Sequence, residues 1–533
     1  MLLLLATLLA SQQFDVVLRN GRIVDGTGAP SYHADLGVKG GRITAIGRLG
    51  NTTAKRVIDV QGQVVAPGFI DMMGQTGAPF ITDPNAAMSL LTQGVTTLNA
   101  GEGDSDAPQA GEDATRLGWS TMREFFSKLE GAGMPMNVAQ TVGLTRIREI
   151  VIGDKDRQAT PEELTRMKGM VEEAMLAGAI GTSTSLIYPP AIYASEAELA
   201  ALTEVAGRYG GRYFTHMRNE GDRLLEAIDE ALRIGQAAKT PVHIYHLKTA
   251  GQANWGKMDL ALARIKAARA AGQDVGVDVY PYINNGLGIR ALLHPRNATQ
   301  GQDSLMKRLA DPVQRATMRK EMETEVGWEN WYVHAGRDWD RIVLGSIQHP
   351  AYKQYDGMTV KAIAEKTGKD PWDVFFEICQ SNSFLMPQTM TDANKMKAMR
   401  EEFTSFDTDA APAGGGGSAS HPRAWGGFPR IFGRYVRDLG VMSLEAAVHR
   451  ASAVAANEIG AYDRGRLAPG LAADIVVFDP TTIRDRATFA QPTLPSEGVS
   501  YVLVNGTLVL EGGKYTGARP GKVLRGPGWD GKP

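Results

Sequence analysis

"GFIDMMGQTG" (residues 68–77) begins as a short apolar run, closes that run with an acid at Asp71, and passes into glycine and polar residues. A strand of that kind is buried on both faces, as in a parallel sheet covered by helices. Comparable runs follow at "VTTLNA" (95–100), "NVAQTVG" (137–143), "AIGTSTSL" (179–186), "RYFTHMR" (212–218), "PVHIYHLK" (241–248), "DVGVDVYPY" (274–282) and "FTSFDTD" (403–409). Helical patterns separate most of them. "TPEELTRMKGMVEEAML", for example, opens with Thr160 as N-cap and Glu163 completing a capping box. Eight strand–helix units predict a (β/α)8 TIM-like barrel, whose chemistry gathers at the C-terminal ends of the strands.

Outward from the barrel, both chain ends are strand-rich. "FDVVLRNGRIVDGTG" alternates around Asn20-Gly21, read as a two-residue hairpin turn, and "YVLVNGTLVLEGGKY" repeats the pattern around Asn505-Gly506. The ends are therefore expected to form one small β-sandwich module, from 14–66 and 466–533, with the barrel over 67–465. The interval between the seventh and eighth strands exceeds a normal connection and predicts an inserted subdomain or lid at about 290–345. Residues 1–13 open with "MLLLLATLLA", too short to span a bilayer but the length of a signal-peptide apolar region, although without a basic start. That predicts a periplasmic or secreted protein with a truncated or atypical signal peptide, and otherwise a cytoplasmic one.

Composition narrows the function classes. The 533 residues are 43% hydrophobic and 22% charged, with a net charge of -2. A near-neutral chain without basic, aromatic-interleaved runs argues against a nucleic-acid partner, and no other stretch approaches a membrane span. Cys379 is the single cysteine, so neither a disulfide framework nor a cysteine-rich zinc site can be built, and it reads as a packed core thiol.

Polar residues collect at the strand ends. Glu102 follows the second strand, His216 ends the fifth, His246 ends the sixth and Asp409 ends the eighth. Two imidazoles and a carboxylate are a common catalytic zinc set that leaves a fourth position open. The remaining acid can accept a proton from water. His243, three residues from His246, is expected on the opposite face, towards the helices. His33, His294, His334, His349 and His449 read as structural or surface residues.

An ordered series of motifs runs along nearly the whole chain: "VLRNGRIVDGTG", "APGFID", "GVTT", "GTSTSLIYPP", "THMRNEGDRLLEAIDEALRIG", "HLKTAGQANWG", "DVYPY", "HPRAWGGFPRIFGRYVRD" and "GRLAPGLAADIVVFDP". In these the chain resembles the amidohydrolase superfamily, within it the N-acyl-D-amino-acid deacylase (D-aminoacylase) branch. The resemblance implies His216 and His246 as zinc ligands and Asp409 as general base and later acid, with Asp407 as its rival. It implies Arg423 as partner of a substrate α-carboxylate. Lys248, Tyr280 and Tyr188, in matched motifs, become candidates for hydrogen-bonding the substrate, and "APAGGGG" (411–417) for a loop over it.

The chain departs from the family in two places. The HxH pair usual after "GFID" is replaced by Met73 and Gln75; a thioether and a neutral amide are poor substitutes for imidazoles at a hydrolytic zinc, which implies one Zn2+ per chain. Where many relatives carry a cysteine, "AGEGDS" presents Glu102, itself a good zinc ligand, with Asp104 as the alternative. The expectation is a zinc-dependent amidohydrolase acting on N-acyl-D-amino acids or related acylated amino compounds. Alternatives are a dipeptidase or another amide or lactone hydrolase, and a catalytically silent binding protein on the same fold.

Overall fold

The computed structural model describes residues 13–297, 301–414 and 420–532. The apolar run 1–10 and part of the glycine-rich stretch at 411–417 lie outside the described residues.

The eight expected strands are present: β1 (Phe69–Asp71), β2 (Val95–Ala100), β3 (Asn137–Gln140), β4 (Gly181–Ser185), β5 (Arg212–His216), β6 (Val242–Ile244), β7 (Val275–Val279) and β8 (Thr404–Phe406). All neighbouring pairs within the ladders β1–β2–β3 and β4–β5–β6–β7–β8 are parallel. The amide of Met72 donates to the carbonyl of Phe406 at 3.2 Å and joins β1 to β8, while Ile180 donates to Gln140 at 2.9 Å where β3 meets β4. The barrel is thus closed. Strand alternation sends Val242, Ile244, Val275, Val277 and Val279 outward into the helix-packed core. Ile70, Met72, Met73, Phe214 and Tyr245 fill the interior with Ala455, Ala456 and Ile459. Met73 is therefore a fully buried packing residue.

The helix Pro161–Ala177 starts as expected, with Thr160 and Glu163 forming a reciprocal capping box and Pro161 at its first position. Among the described residues no helix is long and apolar enough to cross a membrane.

The chain ends share a nine-stranded sheet, joined where Ile475–Phe478 runs antiparallel to Val64–Pro67. Val16, Leu36, Ile43, Val65, Ile475 and Leu503 give this module its own core. Asn505-Gly506 is the expected hairpin turn, with Val504 opposite Thr507 and both turn residues at positive φ. Asn20-Gly21 is not. Phe14–Ile23 continues as one strand through a bulge between Leu18 and Gly21, where Asn20 takes φ 57°. The difference is tertiary: a Cβ at Gly21 would stand 2.7 Å from Val65 Cγ2, and the strand is held on both sides by Ala54–Asp59 and Tyr32–Lys39. The same Asn-Gly pair thus makes a bulge where partners flank it and a turn where they do not.

Between β7 and β8 the chain forms a separate layer. Its antiparallel sheet runs Leu287–Gly288, Phe384–Pro387, Ile342–Gly345, so the insertion reaches well past residue 345. Trp331, Trp339, Trp372 and Phe375 dominate its core, and Cys379 is buried in it with burial pushing the thiol up to about 12.

Candidate active site

A cleft of about 1010 Å³ opens at the C-terminal ends of the barrel strands, between the barrel and the insertion. Glu102, His216, His246, Asp409, Arg423, Lys248, Tyr280 and Tyr188 all line it. Four non-glycine residues there depart from ordinary backbone conformation. Gln75, His246, Ser346 and Asp409 have φ of 63°, 37°, 49° and 46°, left-handed values that non-glycine residues seldom adopt. Each lies just past a strand end, where the turn redirects the side chain into the cleft.

Glu102 Oε1 lies 2.7 Å from His216 Nδ1 and 3.1 Å from His246 Nε2. Among the described residues, ligand atoms of this trio come within 4.8 Å of one another. Asp104, the alternative ligand, lines the same cleft but stands apart from this trio: it is largely exposed and forms a two-pronged pair with Arg146 at 2.8 and 2.9 Å. Behind the two rings stands a second carboxylate. Glu220, fully buried, places its oxygens 3.1 Å from His246 Nδ1, 3.6 Å from His216 Nε2 and 2.6 Å from Lys248 Nζ. Each imidazole therefore sits between Glu102 in front and Glu220 behind, but only His246, whose Nδ1 is within hydrogen-bond reach of Glu220, has its edge to the cleft fixed that way; His216 Nε2 has no hydrogen-bond partner among the described residues. Burial alone would push Glu102 up, but its bonds to His216 and His246 hold it well below the usual carboxylate range.

Asp409 Oδ2 meets Arg423 Nη1 at 2.6 Å, and its Oδ1 accepts from Gln75 Nε2 at 2.8 Å. Burial raises its pKa against the opposing charge of Arg423. Asp407, its rival, is wholly buried and, among the described residues, neither of its carboxylate oxygens is hydrogen-bonded and it does not line the cleft. Arg423 opens the helix Arg423–Arg430, where His421 Nδ1 accepts its backbone N–H at 3.1 Å. A Cβ at Gly286 would lie 2.6 Å from Arg423 Nη2, so glycine there makes room for the guanidinium. Tyr280 offers its ring face to Lys395 at 4.0 Å and to Arg423 at 4.6 Å. Burial keeps its phenol protonated, and likewise that of Tyr188, whose ring edge approaches His216. Lys248 is turned towards Glu220 and His246 Nδ1, both at 2.6 Å, and so braces the site from behind.

His243 does not face the helices. It points into the barrel interior, with Nε2 2.9 Å from Asp278 and Nδ1 3.0 Å from Glu458. The regular strand ends at Ile244 and the left-handed turn at His246 breaks the alternation, so counting three residues back from His246 gives the wrong face. Asp278 also accepts the backbone N–H of His246 and supports that turn. Two further residues of the site are not evident from the sequence. Glu220 carries only a faint signal, four positions after His216 within "THMRNEG", and Gln75 stands in the sequence only as a lost ligand.

Two imidazoles and a carboxylate converging at the mouth of a closed barrel form a donor set suited to a catalytic zinc ion. The fold and this site define a barrel built to hold a divalent cation beside a carboxylate base. The model of the Amidohydrolase family matches residues 56–510. The chain is 34% identical over 524 residues to an N-acyl-D-glutamate deacylase of Alcaligenes xylosoxydans xylosoxydans, covering 96% of this chain and 97% of the relative. It is also 34% identical over 529 residues to a D-aminoacylase of the same organism, covering 96% and 98%. The solved N-acyl-D-glutamate deacylase from Bordetella bronchiseptica, described as complexed with zinc and a phosphonate mimic of the tetrahedral intermediate, superposes with a TM-score of 0.81 at 32% identity, covering 96% of this chain and 100% of that one. The chain belongs to the amidohydrolase family.

Proposed function

We propose that the protein is a zinc-dependent amidohydrolase that removes the acyl group from N-acyl-D-amino acids or closely related acylated amino compounds. The observation that carries this reading is the convergence of Glu102, His216 and His246 beside Asp409 in one cleft. Glu102, His216 and His246 would hold the ion. When bound, zinc supplies Lewis acidity, making water a stronger acid and polarising an amide carbonyl.

The chain's own residues do the rest. Asp409 accepts a proton from the attacking water as the new C–O bond forms, then delivers it to the departing nitrogen as the C–N bond breaks. Its raised pKa suits both halves of that transfer better than an ordinary carboxylate would. Arg423 presents a planar fork of donors suited to a substrate carboxylate. Lys248 and Glu220 hold His246 in place, and the phenols of Tyr280 and Tyr188 remain donors at the cleft wall. The N-terminal apolar run supports export of the enzyme.

The test is a hydrolysis screen of N-acyl-D- and N-acyl-L-amino acids and dipeptides with zinc-loaded protein, alongside metal analysis. Release of amino acid from the N-acyl-D series in proportion to bound zinc is expected. A well-folded protein that neither retains nor takes up zinc overturns the enzymatic reading, and a silent binding protein would then be the better description.

A further inference from the structure

We infer that Gln75 is a positioning residue that takes the place a second cation would occupy and limits the site to one metal ion. The inference rests on the zinc reading above. The Gln75 amide nitrogen donates to Glu102 Oε2 and to Asp409 Oδ1, both at 2.8 Å. Carboxylate oxygens only accept, so it is the nitrogen that faces them, and its two hydrogens are both used. Glu102 thereby divides its labour. Oε1 faces the two imidazoles and Oε2 is tied back to Gln75. Asp409 is divided in the same way, with Oδ2 on Arg423 and Oδ1 on Gln75.

The backbone makes this placement firm. Gly74 donates to the Asn99 carbonyl at 2.8 Å, and the Gln75 carbonyl accepts from Gly101 at 2.9 Å. A Cβ at Gly74 would run 1.6 Å from Leu98 Cδ1, so only glycine lets the turn lie this close to β2. The left-handed φ of Gln75 then aims its side chain inward. Two neighbouring carboxylates need a positive or donor group between them. A neutral amide supplies donors without adding charge and is a weak ligand for zinc. Any second ion binding between Glu102 and Asp409 would have to displace both hydrogen bonds.

The experiment measures zinc per chain across a range of free zinc for wild type, Gln75→Glu and Gln75→Leu, each first checked for a native thermal transition. Wild type is expected to saturate at one equivalent. Gln75→Glu, the same size but a third carboxylate, is expected to take a second, at least about tenfold tighter than any second binding by wild type. Gln75→Leu is expected to keep one equivalent but lose about 100-fold in kcat with little change in KM, the scale set by a misplaced reacting group. A second equivalent bound by wild type as tightly as the first overturns the inference, and so does a Gln75→Glu protein that stops at one. Wild type binding no zinc overturns the metal reading and this inference with it, a result distinct from either.

Discussion

Replacing Glu220 by glutamine separates two jobs of one buried charge. The carboxylate lies 2.6 Å from Lys248 Nζ, 3.1 Å from His246 Nδ1 and 3.6 Å from His216 Nε2, with 1% side-chain exposure. Glu220→Gln keeps the shape and removes the charge, leaving the Lys248 ammonium buried without its partner. Breaking a buried pair in this way costs about 3–5 kcal/mol of stability. Loss of the outer carboxylate beside the metal-binding His246 should also weaken zinc binding by about 10–100-fold, or about 1.4–2.7 kcal/mol.

The double variant Glu220→Gln/Lys248→Met distinguishes the two effects, because removing both charges recovers much of the stability but leaves His246 without the carboxylate behind it. Urea denaturation would follow the first quantity and competitive zinc titration the second. The expected pattern is a low midpoint in the single variant, a partial return in the double, and weakened zinc binding in both. If Glu220→Gln binds zinc within twofold of wild type, Glu220 does not orient His246 and the two-carboxylate sandwich has no bearing on the metal.

Glu102→Ala should abolish tight zinc binding, measured by metal analysis after dialysis, whereas Met73→Ala should retain the metal and lose about 2–5 kcal/mol of stability from a cavity in the barrel interior. Activity against pH should show an acidic limb above the usual carboxylate range, because Asp409 must be ionised to accept a proton and burial raises its pKa; rates fall as pH drops through that value, and Asp409→Asn should remove the limb with nearly all activity. His243 gives the opposite sign in stability. Burial disfavours its charge, but Asp278 and Glu458 outweigh burial and lift it to about 9, so its contribution is complete below about 6.5, the ordinary histidine value, and is lost as pH rises through about 9. Denaturation midpoints from pH 6 to 10 should show that decline, and His243→Gln should flatten it.

Much of the architecture is legible without coordinates, because a strand buried on both faces and an amphipathic helix each write a local period into the chain. The eight barrel strands, the capping box at Thr160 and the Asn505-Gly506 hairpin follow from that period and from turn chemistry. His216 is legible for the same reason, as the last residue of a regular strand.

The residues that escaped are those whose position depends on something distant. Asn20-Gly21 is the same dipeptide as Asn505-Gly506, and only its neighbours Ala54–Asp59 and Tyr32–Lys39 make it a bulge. His243 defeats alternation because the chain leaves strand geometry before His246. Local sequence already carries the chemistry open to the site: two imidazoles, several carboxylates and an arginine at strand ends. Their arrangement comes from folding: Glu102 rather than Asp104 faces the imidazoles, Glu220 stands behind them, and Gln75 spans Glu102 and Asp409. The physical reason is closure. Residues 334 positions apart are brought within one hydrogen bond because Met72 pairs with Phe406 and the barrel completes its circle.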